Sequence, residues 1–428
     1  MRRRVPFWLA LTLVLGIGMG LAIYWSVLTH WLPVDGSAVP NSDERTSLTV
    51  APGISAPKHT WTFEARERGA ILASPLVAGD RLYVPVIRDI GKGTSGGALY
   101  CLDRHTGKRI WRFDDGGHMQ QTFSSPCLAN GKLYLGEGMH EDFHCKLYCL
   151  DAATGRKCWD FPTAGHVESS PCVAENCVFF GAGDDGVYCL DAVTGRRRWR
   201  FGGDIHVDTS PAVIGQRLYA GAGTSVAHRK TEVFALDIGD GQVLWRTPTD
   251  LPVWGAPTVD GGKVFVGLGN GRLLVHPEHP AGEVLCLDAA TGKQLWRWHG
   301  TEAVFDQPAV DRDHVYFGAR NGVCYCVERT NGQVRWQTDL GSPIIAAPRL
   351  GDHRVYAVAS AGRLCRLDAV NGRLDWSMNL AVDAHSQPRA ISMPAVVSAA
   401  DNGHDSIYLG FELVAPTGST ALLYAVRD

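Results

Sequence analysis

The chain has 428 residues, 45% of them hydrophobic, and a formal net charge of −3. That length can bury one large core or two ordinary ones. The near balance of charge, with no block of like charges beyond Arg2 to Arg4, offers neither a phosphate-tracking groove nor a basic face, so nucleic acid is not an expected partner.

In chain order, residues 1–4 form a basic stub. The run from Val5 to Leu32 contains no Lys, Arg, Asp or Glu and is long enough to cross a bilayer as a helix. Tyr24, Trp25 and Trp31 lie toward its far end, where an aromatic belt would sit, and three arginines precede it while Asp35, Asp43 and Glu44 follow. The positive-inside rule then keeps the N-terminus in the cytoplasm and exports the rest. A single-pass signal anchor over 5–32 is expected. Cleavage near Gly36 and Ala38 is the weaker option, because the apolar run is about twice the length of a signal-peptide core. Residues 33–58, rich in Pro, Ser, Ala and Gly, read as a flexible membrane tether.

From residue 59 the sequence becomes periodic, and a fixed period takes precedence over local signals. After the strand-like "HTWTFEA" (59–65), which carries Trp61, the spacing Asp-x-x-x-Gly-x-x-x-Trp recurs seven times. The copies are Asp103/Gly107/Trp111, Asp151/Gly155/Trp159, Asp191/Gly195/Trp199, Asp237/Gly241/Trp245, Asp288/Gly292/Trp296, Glu328/Gly332/Trp336 and Asp368/Gly372/Trp376. Each follows an apolar pattern such as "LYLG" or "VFVG", itself preceded by a proline after small residues; eight such prolines run from Pro75 to Pro394. One unit reads as four short strands, "PCLA", "KLYLG", "KLYCLD" and "KCWDF", at a repeat of roughly 40 to 50 residues, the signature of a propeller blade. The glycine suits the left-handed position of a tight hairpin, and the aspartate can accept the turn's own amides.

After Pro394 come "SIYLGF" and "ALLYAVRD", with no turn and no tryptophan. The missing strand is expected from residues 59–65, because a ring must pair its last sheet with its first strand to leave no open edge. The expected fold is therefore all-β: an eight-bladed β-propeller of four-stranded antiparallel blades over 59–428, its last blade closed by an N-terminal strand and the whole preceded by one transmembrane helix.

The Asp-x-x-x-Gly-x-x-x-Trp staple, with turns such as "DAATGK" at 288–293, resembles the repeat of the pyrroloquinoline-quinone (PQQ) type eight-bladed propellers. The resemblance implies that each tryptophan packs between neighbouring blades, where a buried indole contributes a few kcal/mol. Such propellers include quinone-dependent dehydrogenases and non-catalytic scaffolds, so the fold alone assigns no chemistry. The dehydrogenases share a vicinal Cys-Cys pair, a calcium held by acidic and amide side chains, and an aspartate base. None of the twelve cysteines here is adjacent to another, and the chain is shorter than those enzymes. Neither PQQ nor calcium is expected, and no catalytic or metal-binding residue is assigned.

Cys101, Cys149, Cys189, Cys286 and Cys326 all stand two positions before the repeat's acid, and Cys127 and Cys172 follow strand-opening prolines. Recurring slots of this kind suit small core residues and lie too far apart to bridge. "GLGNGR" at 267–272 does not open a helix and is no dinucleotide fingerprint. "HEDFH" (His140, His144) and "HPEH" (His276, His279) fall in loops and read as solvated histidines.

One constellation stands out. In a four-stranded meander the loops between second and third strands emerge at the same end as the connections between units, and the long insertions at 88–97, 137–146, 224–232, 269–283 and 411–420 are all of the former kind. The connections at that end bring His118, His166 and His206 toward the axis, with Glu168, Asp208, Trp254, Phe305 and Asp306 behind them. Converging polar and aromatic groups in a funnel make a candidate binding site; a repeated polar lining of a water-filled channel explains them more simply. The expected role is a membrane-tethered extracytoplasmic scaffold holding a protein or peptide partner on this face, by similarity to the propeller component of the outer-membrane β-barrel assembly machinery. The alternatives are a PQQ-dependent oxidoreductase and a small-ligand sensor.

Overall fold

The computed structural model describes residues 48–91, 94–140, 142–271, 276–380, 387–389, 395–397, 405–415 and 418–428. The described residues form strands, turns and one short 3₁₀ turn, Asp115–Gly117. Among them no helix is long and apolar enough to cross a membrane. The expected anchor at 5–32 and residues 33–47 of the expected tether lie outside the described residues.

The unit Cys127–Ala129, Lys132–Gly136, Lys146–Asp151 and Lys157–Pro162 shows why the repeat folds as it does: each strand pairs antiparallel with the next to make one four-stranded sheet. Side chains alternate between faces along a strand, and here both faces are covered. Leu133 and Leu135 pack with Tyr83, Leu99 and Cys101 of the preceding unit. Tyr134 and Cys149 pack with Val178 and Phe180 of the following one. The core is thus a series of slabs between neighbouring sheets. Cys101, Cys149, Cys189, Cys286 and Cys326 are buried within it.

The tryptophans lock the slabs. Trp111 Nε1 donates to Ala152 O at 3.3 Å, Trp199 to Ile238 O at 2.8 Å, Trp296 to Arg329 O at 2.9 Å and Trp336 to Ala369 O at 3.0 Å, in each case a carbonyl in the turn of the next unit. The glycine of that next turn lies under the indole. Gly155 has φ +73° and a Cβ there would come within 2.6 Å of the Trp111 ring; Gly195 has φ +70° and would meet Trp159 at 2.7 Å; Gly372 has φ +72° and would meet Trp336 at 2.6 Å.

The aspartate closes its own turn, Asp151 Oδ1 accepting from the Thr154 amide at 3.1 Å and its hydroxyl at 2.8 Å. Asp103, Asp191 and Asp288 accept from a threonine hydroxyl in the same way. Asp237 and Asp368, whose turns carry no threonine there, accept from backbone amides alone. The unit of Trp336, the copy with Glu328 in place of aspartate, closes its turn differently. Its indole is a buried staple, but the acid of its turn is Glu328, whose longer side chain reaches outward to pair with Arg335 Nε at 3.3 Å. Asn331 takes over part of the turn, accepting from the Gln333 amide at 2.9 Å. The lock between units thus survives a change in the acid, because it depends on the indole and the glycine.

At the inner edge the first strands of successive units pack side by side. There the amides of Ser74, Ser125 and Ser170 donate to the hydroxyls of Ser125, Ser170 and Ser210 at 2.9, 2.9 and 2.8 Å.

The described strands form seven sheets: five of four strands, one of five and one of nine. In the nine-stranded sheet Lys58–Ala70 runs antiparallel to Gly418–Arg427 with Trp61 opposite Ala425, the pairing that ring closure requires. The same strand continues to Gly69 and Ala70, which pair with Arg88 and Ile87 of the first unit, so the first and last meanders share one sheet.

Other expectations are corrected. Leu48–Val50, expected within the flexible tether, is a fifth strand on the outer edge of Leu374–Asn379, with Val50 opposite Trp376. An open outer edge accepts a short apolar segment, and Val50 and Ile54 pack against the core beside it. The expected loops at 88–97 and 411–420 are largely the continued arms of hairpins, paired as far as Gly91↔Thr94 and Ala415↔Gly418.

One staple differs from the rest. Trp376, fully buried, donates to the carboxylate of Asp428 at 2.9 Å instead of a turn carbonyl. Arg366 holds the same carboxylate at 2.6 and 2.8 Å, and the Tyr356 hydroxyl donates to it as well. Burial would raise the Asp428 pKa, but the hydrogen bonds from Arg366, Tyr356 and Trp376 bring it below the ordinary value.

Asp428→Asn breaks a buried ion pair and is expected to cost about 3–5 kcal/mol, read as a lowered denaturant midpoint. Because the folded-state pKa is depressed, the advantage of wild type over the variant should be full above the ordinary carboxylate pKa and shrink as pH falls through the folded value; a pH-independent difference would contradict the ion-pair account. Thiol labelling provides a second check. Cys158 is the exposed cysteine, whereas burial pushes Cys101 up to about 11 and Cys149 to about 12. Alkylation of folded protein followed by peptide mapping should modify Cys158 first.

Candidate functional site

Two successive connections carry the same short pattern, His166-Val167-Glu168 and His206-Val207-Asp208. In extended chain the first and third residues face one side and the middle one the other. Val167 and Val207 are fully buried. The Val167 amide donates to Glu137 O at 2.8 Å, and Val207 exchanges backbone hydrogen bonds with Gly183 at 2.9 and 3.1 Å. Glycine is needed for this close approach: a Cβ on Gly183, at φ +54°, would come within 2.8 Å of the His166 ring.

With the valines anchored, the histidines and acids converge. His166 Nε2 lies 2.9 Å from Asp208 Oδ1 and His206 Nε2 2.6 Å from Asp208 Oδ2. His140, from the insertion at 137–146, brings Nδ1 to 3.4 Å from Asp208 Oδ2 and 3.3 Å from Glu168 Oε1. Its backbone amide donates to the Glu168 carboxylate. One ligand-type atom from each of His140, His166, His206 and Asp208 lies within 4.8 Å of the others. Behind them Asp184 Oδ1 sits 2.7 Å from His206 Nδ1. His166 and His206 are buried, and His140 is partly open to solvent.

The electrostatics follow from this packing. Burial alone would lower the pKa of His166 and His206, but the hydrogen bond and charge of Asp208 outweigh it and both are raised. Burial would raise Asp208, yet its bonds to the two imidazoles hold it well below the usual carboxylate range.

Trp254 stacks on His140, with ring centroids 6.5 Å apart and planes at 27°, while its own N–H donates to Gly269 O at 3.0 Å. Phe305 meets Trp254 edge-on at 5.8 Å, and Ala303 and Ile345 complete an apolar patch. Of the residues singled out in the sequence, His166, Glu168, His206, Asp208 and Trp254 therefore surround one point, with Phe305 beside them. His118 is exposed next to the turn Asp115–Gly117 and is not one of the four clustered ligand-type residues. Asp306 is half-buried and its carboxylate accepts from the amides of Gln307 and Ala347, both at 2.7 Å, so it staples neighbouring connections; desolvation raises its pKa.

His140 is the residue that sequence reasoning missed. Read as a solvated loop histidine, it is drawn inward by Glu168 and Asp208, while its sequence neighbour His144 stays exposed at φ +57°. The visible signal was the acid two residues after His166 and His206, which any imidazole on a facing loop could reach. His276, also read as solvated, is exposed and pairs with Glu302 at 2.8 Å. An open cleft lined by Arg217, Asp260, Gly261 and Ala290 lies at the opposite, tight-turn end of the sheets.

The family model described as "Outer membrane protein assembly factor BamB" matches residues 25–141, 143–277 and 280–422. No curated protein sequence matches the chain. Among solved structures, BamB from Moraxella catarrhalis is 13% identical with a TM-score of 0.60, covering 86% of this chain and 98% of its own. Quinohemoprotein alcohol dehydrogenase from Comamonas testosteroni is 13% identical with a TM-score of 0.65, covering 87% and 76%. A europium-containing methanol dehydrogenase is 13% identical with a TM-score of 0.62, covering 87% and 93%. At such identities these likenesses show the propeller fold and no more.

The dehydrogenase likeness raises the question of PQQ with calcium. Calcium takes six to eight oxygen ligands, whereas the cluster offers three imidazoles, the Asp208 carboxylate and the adjacent Glu168. Together with the lack of adjacent cysteines, that donor set does not fit the quinone–calcium pair.

Asp208→Asn keeps one acceptor and loses the other, leaving a buried imidazole N–H without a partner. The expected cost is about 1–3 kcal/mol, against a change within about 0.5 kcal/mol for His118→Ala on the exposed surface. Denaturant unfolding of the two variants tests the ranking; equal effects would remove Asp208 from its place as the hub.

Proposed function

Because the chain belongs to the outer membrane protein assembly factor BamB family, we propose that it is an eight-bladed, membrane-tethered extracytoplasmic scaffold that holds a protein or peptide partner on its loop-bearing face. The staples support eight blades: seven spaced turn copies plus Trp61, whose ring packs on Tyr408 at 5.9 Å and whose N–H donates to Arg104 O at 3.0 Å across the closure. The uncharged run from Val5 to Leu32, flanked by arginines before and acids after, supports the tether and its orientation.

The observation that carries the partner reading is apolar exposure on insertions the ring does not need. Phe143 is 68% exposed on the 137–146 insertion and Val226 is 89% exposed on the 224–232 insertion. Val193 and Val370 are comparably exposed, at 76% and 68%, but they occupy the variable position of the repeated tight turn at the other end. Those two follow from the repeat; Phe143 and Val226 do not. Exposed aromatics on an insertion suit the apolar anchors of a protein interface. The rival reading as an oxidoreductase has the shared fold behind it and a donor set against it.

Site-specific photo-crosslinkers in the full-length membrane protein test this reading. Positions 143 and 226 should capture a discrete partner while positions 193 and 370 do not. Phe143→Ser should weaken partner recovery about 30-fold if Phe143 acts as a 2 kcal/mol anchor. Capture confined to the turn end would overturn the choice of face.

A further inference from the structure

We infer that His140, His166, His206 and Asp208 form a binding site for one divalent transition-metal ion with zinc-like ligand preference. The inference does not rest on the scaffold reading, since it concerns four side chains and not the partner.

Three observations carry it. First, the donor set is of the right kind: imidazole nitrogens with one carboxylate suit zinc and its first-row neighbours and discriminate against calcium and magnesium. Second, the ligand-type atoms converge. His166 Nε2, His206 Nε2 and His140 Nδ1 lie 2.9, 2.6 and 3.4 Å from Asp208 oxygens. With Zn–N bonds of about 2.0–2.1 Å, the ligand atoms of a tetrahedral site stand about 3.4 Å apart. The four atoms here all lie within 4.8 Å of one another, so movements on the order of 1 Å would close the shell.

Third, the surroundings are those of a held ligand set. Asp184 Oδ1 at 2.7 Å from His206 Nδ1 can accept that nitrogen's proton, which leaves Nε2 as the ligating atom. A carboxylate behind a histidine is the usual means of fixing ring and tautomer at a metal site. Glu168 accepts the His140 backbone amide and so fixes the loop that delivers the third ring. Trp254 covers His140 on one side, limiting water there. Three carboxylates, Asp184, Asp208 and Glu168, face the imidazoles, and a divalent ion bound here would displace the protons that the rings share with Asp208. His140, the most exposed of the four at 30% of its side chain against 14% for Asp208, marks the way in.

Occupancy would join the 137–146 insertion of one unit to the connections leading into the next two. The site would therefore stiffen the loop that carries Phe143 without chemistry of its own.

The test uses the full-length protein in detergent, stripped with a chelator and titrated with Zn²⁺ and, as a spectroscopic substitute, Co²⁺. Expected are one metal equivalent per chain by elemental analysis, visible Co²⁺ bands of a four-coordinate site, and a raised melting temperature. His206→Ala and His140→Ala should each abolish the equivalent, and Asp184→Asn should weaken binding about 10- to 100-fold. His118→Ala and His276→Ala should leave it unchanged. If His206→Ala fails to fold, His140→Ala decides, because its side chain comes from an insertion outside the strands. Absence of a stoichiometric equivalent in wild type, or its retention in folded His140→Ala, would overturn the site.

Discussion

The structure depends on one contact, the indole of one unit laid on the glycine of the next, made at every staple but Trp376. Gly241 beneath Trp199 and Gly292 beneath Trp245 show both halves of the constraint. Their φ values of +75° and +73° call for glycine, and a Cβ would enter the ring at 2.8 and 2.5 Å. The N–H of the same indole then takes a carbonyl from that turn, as Trp245 does from Ala289 at 3.1 Å. The spacing that looks like a motif within one unit is therefore a lock between two. Stability in such an array is a sum of unit and nearest-neighbour terms, and a break at any seam uncovers two apolar sheet faces. Trp61 closes the ring with the ordinary lock, its indole over Gly107 and its N–H on Arg104 O at 3.0 Å, whereas Asp428 matters because its carboxylate stands in for the turn carbonyl at Trp376.

How much of this could be read from the chain depends on whether a feature is periodic. The seven spaced staples, the role of the aspartate and the position of Trp61 were legible because each is overdetermined by copies. The cysteine slots were legible for the same reason, small side chains recurring where adjacent sheets press together. The copy ending in Trp336 shows the limit of such reading: spacing identified its indole, but the partner that Glu328 takes in Arg335 follows from side-chain length and not from the period. Leu48–Val50 was not legible, since nothing repeats there and its pairing with Leu374–Asn379 depends on an edge visible only after folding. The hairpins at 88–97 and 411–420 were misread because their length exceeds the repeat, and excess length looks like a loop until cross-strand partners appear. At the cluster, the connection residues came from the repeat; His140 came from an insertion, and only the position of Asp208 explains it.

The ring also explains how distant residues reach a common point. His140, His166 and His206 are supplied by three successive sheets, and their ring centroids lie 5.1 to 5.6 Å apart. No single unit contains more than a fragment of this arrangement. It exists because staples and serine contacts hold neighbouring sheets at a fixed angle, so that short extended connections, each pinned by a buried valine, present their side chains to the same space. Rigid strands with functional residues on connections is a common division of labour in such folds.

The way the cluster departs from the repeat bears on what it is for. Three residues before the strand-opening proline, successive units place Glu168, Asp208, Trp254, Phe305 and Ile345. One structural slot thus carries acids on one side of the ring and apolar groups on the other. The apolar members pack together, Phe305 on Trp254 and Ile345 against them. The acidic members instead collect imidazoles, and two units carry histidine two residues before the acid where later units have Pro252, Ala303 and Pro343. A channel that needed only wetting could use any small polar residue at these positions, without burying ionisable groups at the cost that entails. Gathering three rings around Asp208, with Asp184 behind one of them, goes beyond what a hydrated lining needs and is the geometry of a held ligand set.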